Sequence, residues 1–279
     1  MILKRQGRKI GGLALFYSAA ILLALAAAIP FFWMIISSLK SRGAIMSIPV
    51  EWIPKEPSFD SYIKLFGIPG FGRSIFNSFY LAVICTIAQL LCASMAAFAL
   101  TKIPFKGQTG VFTLYLTAMM IPVQVTFIPI FIIMSKFNLT NNLNAFVLLQ
   151  MFNAFAIFML RQRMKTINNA YIEAAVIDGA GYWFIFWKII LPLSSATLAT
   201  LAILAFMGSW NDYLLPLVLL SERSKATMPI LLSTMNSQYG NQYNLMMAGS
   251  LLSIIPILII YICMQKYFKN GLAVGGIKG

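Results

Sequence analysis

Residues 173–192 read EAAVIDGAGYWFIFWKIILP, and this stretch decides how the rest of the chain is interpreted. Its first half carries charges and glycines, its second half is intensely aromatic, and an apolar run of membrane length stands on either side of it. Because the stretch is too polar at its start to remain in lipid, we expect residues 161–192 to form a cytoplasmic loop. The positions that define its spacing are Glu173, Ala174, Ala175, Gly179, Ile189, Leu191 and Pro192.

The loop is predicted to contain two short helices joined by a bend. On the first helix, Tyr171, Ala174, Ala175 and Asp178 share one face at helical spacing. The two alanines would leave a smooth surface that the backbone of another protein could approach closely. An amphipathic connector that lies on the membrane without a partner also accounts for this composition.

Two glycines and two tryptophans specify the bend and the second helix. Gly179 and Gly181 can adopt backbone conformations that are unfavourable for residues with a β-carbon, so we expect the chain to turn there. Trp183 and Trp187 stand one helical turn apart, as anchors at a membrane interface would.

Outside this loop the composition is that of a multispanning membrane protein. Apolar residues make up 60% of the 279 positions and charged residues 10%, whereas soluble domains carry about 25% charged residues. A helical span needs about 20 apolar residues. The sequence therefore predicts an all-α polytopic protein with six transmembrane helices. The predicted spans are Leu13–Ser37, Ser74–Leu100, Gly110–Met134, Asn144–Leu160, Leu193–Leu220 and Leu245–Gln265.

The charge distribution predicts the topology. Although the net charge is +14, the cations cluster at the ends of spans and form no basic stripe interleaved with aromatics, which argues against nucleic-acid binding. With both termini in the cytoplasm, thirteen of the 21 Lys and Arg residues lie inside and eight outside, as the positive-inside rule favours. The predicted divisions are 1–12 (cytoplasmic N-terminus), 13–37 (first span), 38–73 (external cap), 74–266 (five-span core including 161–192) and 267–279 (cytoplasmic tail).

The external segment 38–73 is rich in proline and glycine, a composition that resists a regular helix. We expect it to fold as a short cap, with a flexible linker as the alternative.

Polar residues within the apolar runs are candidates for a translocation path, because such residues are costly in lipid. Gln124 and Thr126 lie between Pro122 and Pro129, where a kinked helix could expose them to a cavity, although ordinary kinks satisfied by packing explain the prolines equally well.

A second group of path candidates is Trp210, Asn211 and Asp212. Asp212 is predicted to be the one carboxylate inside a span. It either lines the path or serves as the structural partner of a cation such as Arg73 or Lys136.

The external segment 221–244 ends in amides and phenols, which both donate and accept hydrogen bonds. Its candidate contacts for a protein partner or a hydroxyl-rich solute are Gln238, Tyr239, Asn241 and Tyr243. A solvated loop is the alternative.

Catalytic chemistry is not expected of this chain. No G-x-x-x-x-G-K-[ST] loop occurs, and no cluster of titratable residues suggests a catalytic or metal site. An ion-coupled transporter is a further alternative, but such proteins use several intramembrane ionisable groups as relays. This sequence contains no histidine, and Asp212 stands alone in its span.

The spacing within residues 173–192 resembles the "EAA" loop of the membrane subunits of binding-protein-dependent ABC importers. The resemblance implies the type I importer permease fold and a coupling helix that docks into a cleft of a cytoplasmic ATPase. The residues to which this implies a coupling role are Glu173, Ala174, Ala175, Asp178, Gly179 and Pro192.

The C-terminal tail and the Trp-Asn-Asp-Tyr stretch are similar to the carbohydrate branch of the family, in particular its maltose-type smaller (MalG-like) permease subunit. In that subunit the tail reaches between the two ATPase subunits, which implies contacts by Gly275, Gly276 and Lys278.

This resemblance also implies the partners and the function. The partners would be membrane lipid, a second (MalF-like) permease in a heterodimer, an external solute-binding protein, and an ATPase dimer that binds ATP and Mg, so this chain needs no cofactor of its own. The function would be uptake of a sugar or oligosaccharide by alternating access in the cytoplasmic membrane of a bacterium or archaeon. A permease for glycerol phosphate or a polyamine is the alternative.

Overall fold

The computed structural model describes the backbone of residues 2–238 and 242–273, which form helices and loops without a strand. The short segments Val123–Thr126 and Arg223–Lys225 are 3-10 helices, and Phe186–Ile190 is a π-helix. The α-helices are α1 (Ile2–Ser38), α2 (Arg42–Ile45), α3 (Asp60–Gly67), α4 (Phe71–Lys102), α5 (Gln108–Ala118), α6 (Phe127–Lys136), α7 (Leu143–Gln150), α8 (Ala154–Lys165), α9 (Ala170–Ile177), α10 (Tyr182–Ile185), α11 (Leu191–Leu193), α12 (Ser195–Trp210), α13 (Leu214–Leu219), α14 (Met228–Gln238) and α15 (Tyr243–Ala273).

The described helices confirm the all-α class and allow six membrane crossings. Three of the spans are continuous: Leu15–Ser38 within α1, Phe71–Lys102, and Tyr243–Gln265 within α15. Three more arise if each bent pair of helices is one span. These pairs are Gln108–Ala118 with Val123–Lys136, Leu143–Gln150 with Ala154–Lys165, and Tyr182–Leu193 with Ser195–Trp210.

The predicted third and fourth spans are therefore broken rather than straight. The predicted fifth span begins at a bend, and the other arm of that pair, Tyr182–Leu193, lies almost wholly in the segment predicted to be a cytoplasmic loop. The 91° bend falls at Pro122, which has no N–H to continue a helix. The 42° bend falls before Asn153, whose side chain accepts a hydrogen bond from the Ala156 N–H (3.0 Å) and so starts a new helix. The 79° bend lies at Ser194, two residues after Pro192.

The chain divides into two compact units. The first comprises the chain up to Pro69 together with Thr234–Ser253. In it, the segment predicted to resist helix formation contains α2 and α3. The Ser38 and Tyr62 hydroxyls are 2.7 Å apart, the Ser58 N–H donates to the Leu39 carbonyl (2.9 Å), and the Asn244 amide donates to the Lys40 carbonyl (3.3 Å). These contacts describe a folded cap; its placement outside the cell stays a prediction.

The second unit, Gly70–Ser233 with the chain from Ile254 onward, is built around α4. This helix packs chiefly against α8 and α12, and much less against α5, the next long helix along the chain. Small residues such as Ala93 and Ala97 are buried, which lets the helix axes approach closely. The core beneath them includes Leu160, Met164 and Phe186.

Candidate functional site

Helix α9 presents two very different faces. Ile172 and Ala175 are buried, whereas the side chains of Tyr171, Val176 and Ile177 are 57%, 51% and 86% exposed. Glu173, Ala174 and Asp178 are also exposed. The sequence placed Ala174 and Ala175 on one open face, but Ala175 turns away because it is part of the unit's hydrophobic core. The open surface is therefore smaller and contains one of the two alanines.

The buried face of α9 joins a core shared with the helices on either side of it. Ile172 and Ala175 belong to the same cluster as Leu160, Met164 and Phe186. Because protein interiors are close-packed, a displacement of α9 has to move this core with it.

The end of α9 is fixed by the backbone of Gly179, which has φ +82°. The Gly179 N–H donates to the Val176 carbonyl (3.0 Å) and the Ala180 N–H to the Ala175 carbonyl (2.8 Å), the two bonds of a Schellman motif. A β-carbon added at Gly179 would meet nothing within 4 Å. The glycine is therefore required for its left-handed conformation and not for lack of space. Gly181, with φ −76°, has an ordinary conformation.

Three cations join α9 and its neighbouring segments to the long helices. The sequence analysis had used these residues only to assign the topology. Lys102, the last residue of α4, donates through Nζ to the Ile167 carbonyl (2.8 Å) and to Asn169 Oδ1 (2.7 Å), immediately before α9. Arg163 on α8 donates through Nε and Nη2 to the Leu193 carbonyl (3.2 and 2.8 Å), at the end of α11.

The third cation, Arg161, is buried at the junction of α4, α5 and α8. Its Nε donates to the Leu100 carbonyl (3.2 Å), and its guanidinium lies 3.7 Å from the centre of the Phe112 ring. The sequence showed only that these three residues lie at the ends of spans. That position does not distinguish a cation that joins two segments through hydrogen bonds, which we call a clamp, from a cation that is exposed to solvent.

The second helix of the loop consists of α10, the π-helix and α11. Ile185, Phe186 and Ile190 are buried, whereas Trp183 and Trp187 are exposed and in edge-to-face contact with ring centres 5.8 Å apart. The predicted one-turn spacing of the tryptophans is confirmed. Their depth at a membrane interface stays a prediction.

A cleft of about 750 Å³ opens beside the exposed face of α9. Glu173, Val176 and Ile177 line one part of it, and Lys102 and Tyr182 another. The exposed face and the cleft together form what we call the coupling surface.

A separate cavity of about 670 Å³ lies among the broken helices of the second unit. Its wall is mainly apolar, with a few polar side chains, which is typical of small-molecule sites. The aromatic rings are those of Phe127, Phe152 and Phe155, and the polar side chains are Gln89, Gln150, Asn153, Ser209 and Asp212. Among the described residues that line it, none is a lysine or an arginine.

Asp212 lies in this cavity wall but not inside a helix. Residues 211–213 interrupt the predicted fifth span, and Asp212 Oδ1 accepts a hydrogen bond from the Leu215 N–H (3.3 Å) near the start of α13. Within the described residues Asp212 forms no ion pair with Arg73 or Lys136. The aspartate satisfies a helix end and faces the cavity.

The other path candidates lie outside this cavity. Trp210 is buried and stacks on Phe206, Asn211 is exposed, and Gln124 is exposed beside Val123, which does line the wall. Thr126 donates to the Val123 carbonyl (2.6 Å). Their role in transport stays a prediction.

The cavity amides at positions 89, 150 and 153 were missed by the sequence analysis. The available signal was an amide within an apolar run, but nothing in the sequence showed that these three runs come together.

Several remaining candidates fall outside what can be described. The candidates outside the described residues are Tyr239, Asn241 and the tail residues Gly275, Gly276 and Lys278. The side chain of Gln238 is also outside them. Tyr243 is half-buried at the start of α15.

Comparison with known proteins gives a consistent result. Residues 89–274 match the family described as "Binding-protein-dependent transport system inner membrane component". The chain is 36% identical to the arabinooligosaccharides transport system permease protein AraQ of Halalkalibacterium halodurans over 92% of this chain and 93% of that protein. It is also 34% identical to the sn-glycerol-3-phosphate transport system permease protein UgpE of Yersinia enterocolitica, over 72% of this chain and 73% of that one.

The fold is similar to that of a solved bacterial ABC transporter involved in the import of the acidic polysaccharide alginate. The TM-score is 0.83 with 26% sequence identity, and the alignment covers 93% of this chain and 97% of the other.

Proposed function

The chain belongs to the family of binding-protein-dependent transport system inner membrane components, and on that premise we propose that it is the permease subunit of an ATP-driven importer for a neutral sugar or oligosaccharide. The observation that carries this proposal is the coupling surface, an exposed helix face backed by the core of the spans. A surface of this kind passes movement from a partner into the membrane helices.

The proposed partner at the coupling surface is a cytoplasmic ATPase dimer that binds ATP and Mg. In support, Tyr171, Val176 and Ile177 are exposed together beside a cleft, and a group of large apolar side chains open to water marks an interaction site. A second, MalF-like permease and an external solute-binding protein would complete the importer, with both termini of this chain in the cytoplasm.

The proposed route of transmission starts with a pull or push on α9. Lys102 ties the start of α9 to the end of α4, and Arg163 ties α8 to the end of α11. The buried side of α9 is packed into the core that these helices share. Movement of α9 would therefore reach α4, and α12 through α11, as a displacement of whole helices, which alternating access needs.

The substrate class is inferred from the cavity. Amide groups donate and accept hydrogen bonds, as a hydroxyl-rich solute requires. A phosphorylated solute such as the one in the name of UgpE would call for a cation, and the described residues that line the cavity offer Asp212 instead. The cavity and the likeness to AraQ both favour a neutral saccharide.

The first experiment tests which substrate is transported and whether transport depends on the ATPase. The importer is purified with its binding protein, and ATP hydrolysis is measured with neutral oligosaccharides, glycerol 3-phosphate or a polyamine. We expect stimulation by a neutral oligosaccharide. Uptake by this chain alone in vesicles, driven by an ion gradient without the ATPase, would contradict the proposal.

The second experiment tests the coupling surface. Glu173→Lys reverses a charge on the surface, and Glu56→Lys makes the same change at an exposed position in the cap. We expect Glu173→Lys to lower both ATPase copurification and uptake while Glu56→Lys lowers neither. Equal behaviour of the two variants would remove the docking role.

A third experiment tests the cavity. Gln150→Leu removes an amide from its wall, whereas Gln124→Leu makes the same change outside it. We expect the larger loss of sugar uptake for Gln150→Leu, with the ATPase still bound. A larger loss for Gln124→Leu would place the path along α6 and its preceding 3-10 turn.

A further inference from the structure

The loop between α2 and α3 runs back along α1 instead of away from it. The Trp52 ring meets the Trp33 ring edge to face, with centres 5.6 Å apart. Trp33 lies five residues before the end of α1 at Ser38. With a rise of about 1.5 Å per residue, Trp52 returns to a level about 7.5 Å inside the end of that helix.

This return is locked by Lys40. Its side chain is buried, with Nζ 4.5 Å from the centre of the Trp33 ring, and it donates a hydrogen bond to the Glu51 carbonyl. Lys40 thus links Glu51, the residue before Trp52, to Trp33, the same tryptophan that Trp52 contacts. The loop is held against the last turns of α1 by an aromatic contact, a cation–π contact and a hydrogen bond.

The apolar side chains that surround Trp52 in the sequence are open. Ile48 is 97% exposed, Ile53 77%, Met46 65% and Val50 50%. Apolar residues are rarely grouped in this way on a surface that faces water. The span Leu15–Ser38, against which Trp52 is held, is itself almost wholly exposed in this chain and has a mean hydropathy of 2.5.

The flanks of the loop carry exposed cations, Arg42 on one side and Lys55 on the other, and Lys55 lies 3.4 Å from the carboxylate of Glu51, the acidic residue of the loop, whose charge it balances. Basic residues around an apolar tip suit the phosphates of lipid headgroups, and tryptophan prefers the boundary between headgroups and acyl chains. Loop depth, exposure and flanking charge all fit the same environment.

We propose that residues 46–53 form an interfacial loop that inserts into the lipid boundary at the end of α1, anchoring the cap to the bilayer surface. Its occupant is lipid, with Ile48 and Ile53 entering the outermost acyl region. The loop thereby fixes the height of the cap relative to the membrane without a further span.

The test measures depth in the assembled importer, reconstituted in nanodiscs. A genetically encoded fluorescent amino acid replaces Ile48 or Ile53, and in a matched control replaces Glu56, an exposed polar residue of the same segment. Quenching is compared between lipids brominated near the headgroup, lipids brominated near the chain end, and aqueous iodide. Because Ile48 and Ile53 are open, the replacement disturbs no packing.

We expect headgroup-proximal bromines to quench the probe at positions 48 and 53 several-fold more than at 56, with iodide showing the opposite order. Iodide quenching at 48 and 53 equal to that at 56 would place the loop in water. Protection from all three quenchers would place it beneath the second permease. Either of these results overturns the proposal.

Discussion

The coupling surface and the cavity are built in opposite ways. The coupling surface comes from two short stretches, α9 with its flanking residues and the end of α4 with the turn after it, and the side chains of α9 either pack into a shared core or point outward. The cavity is assembled from four separated parts of the chain, where helices break and neutral amides meet aromatic rings. A region that must transmit force is thus compact and clamped by charged hydrogen bonds, and a region that must bind and release a solute is assembled from more distant parts of the chain and weakly charged.

If the coupling surface transmits movement through its cation clamps, substitution of Lys102 should have the largest effect on transport. Lys102→Met removes both hydrogen bonds that join α4 to the residues before α9, and bonds from a charged donor are worth about 1.5–3 kcal/mol. We expect ATP hydrolysis to continue while sugar uptake falls at least about tenfold. The measurement is the ratio of sugar transported to ATP hydrolysed.

Lys106→Met is the control for that variant, since Lys106 is an exposed cation in the next loop. Its ratio should match that of the unmodified importer. If both variants keep the normal ratio, the clamp does not transmit movement.

Arg161 should have the next largest effect, on stability more than on coupling. Arg161→Leu leaves the Leu100 carbonyl without its donor at a buried position, which costs about 1–3 kcal/mol. We expect a lower midpoint of thermal unfolding in detergent. Arg161→Lys should recover only part of the lost thermal stability, because an ammonium group lacks the planar guanidinium that stacks on Phe112. Full recovery by lysine would show that charge alone matters.

Substitutions at Gly179 test the coupling surface through backbone conformation alone. Gly179→Val forces a β-branched residue into the left-handed region at a cost of about 1–2 kcal/mol, without any clash. Gly179→Asn, which tolerates this conformation, should keep uptake near normal while the valine variant loses several-fold. Equal loss in both would point to a contact of the glycine with the ATPase instead.

The smallest effect is expected at Asp212. Asp212→Asn retains a side-chain oxygen for the Leu215 N–H, so stability should change by less than about 0.5 kcal/mol. If the cavity binds a neutral sugar, the apparent affinity for sugar should also change little. A large gain in uptake of an anionic solute such as glycerol 3-phosphate would show that this carboxylate sets charge selectivity.

The sequence predicted those features that depend on neighbouring residues. Six apolar runs and the bend at Gly179 were recognised because length and local conformation are local properties. It was wrong about Ala175, since a helical face can be identified from spacing but its orientation depends on the core it meets. It also placed Asp212 inside a helix, because apolarity continues through α13 while the helix stops at Trp210. The cavity amides and the cation clamps depend on contacts between distant parts of the chain, which no local pattern reports.

The exposed tip of α9 has a consequence for how cells handle this chain before assembly. An orphan copy would hold Ile177 and Val176 in water, the kind of apolar exposure that chaperones and quality-control proteases recognise. We therefore expect the half-life of the chain to depend on co-synthesis of its cytoplasmic partner, so that unequal production is corrected by degradation of the surplus.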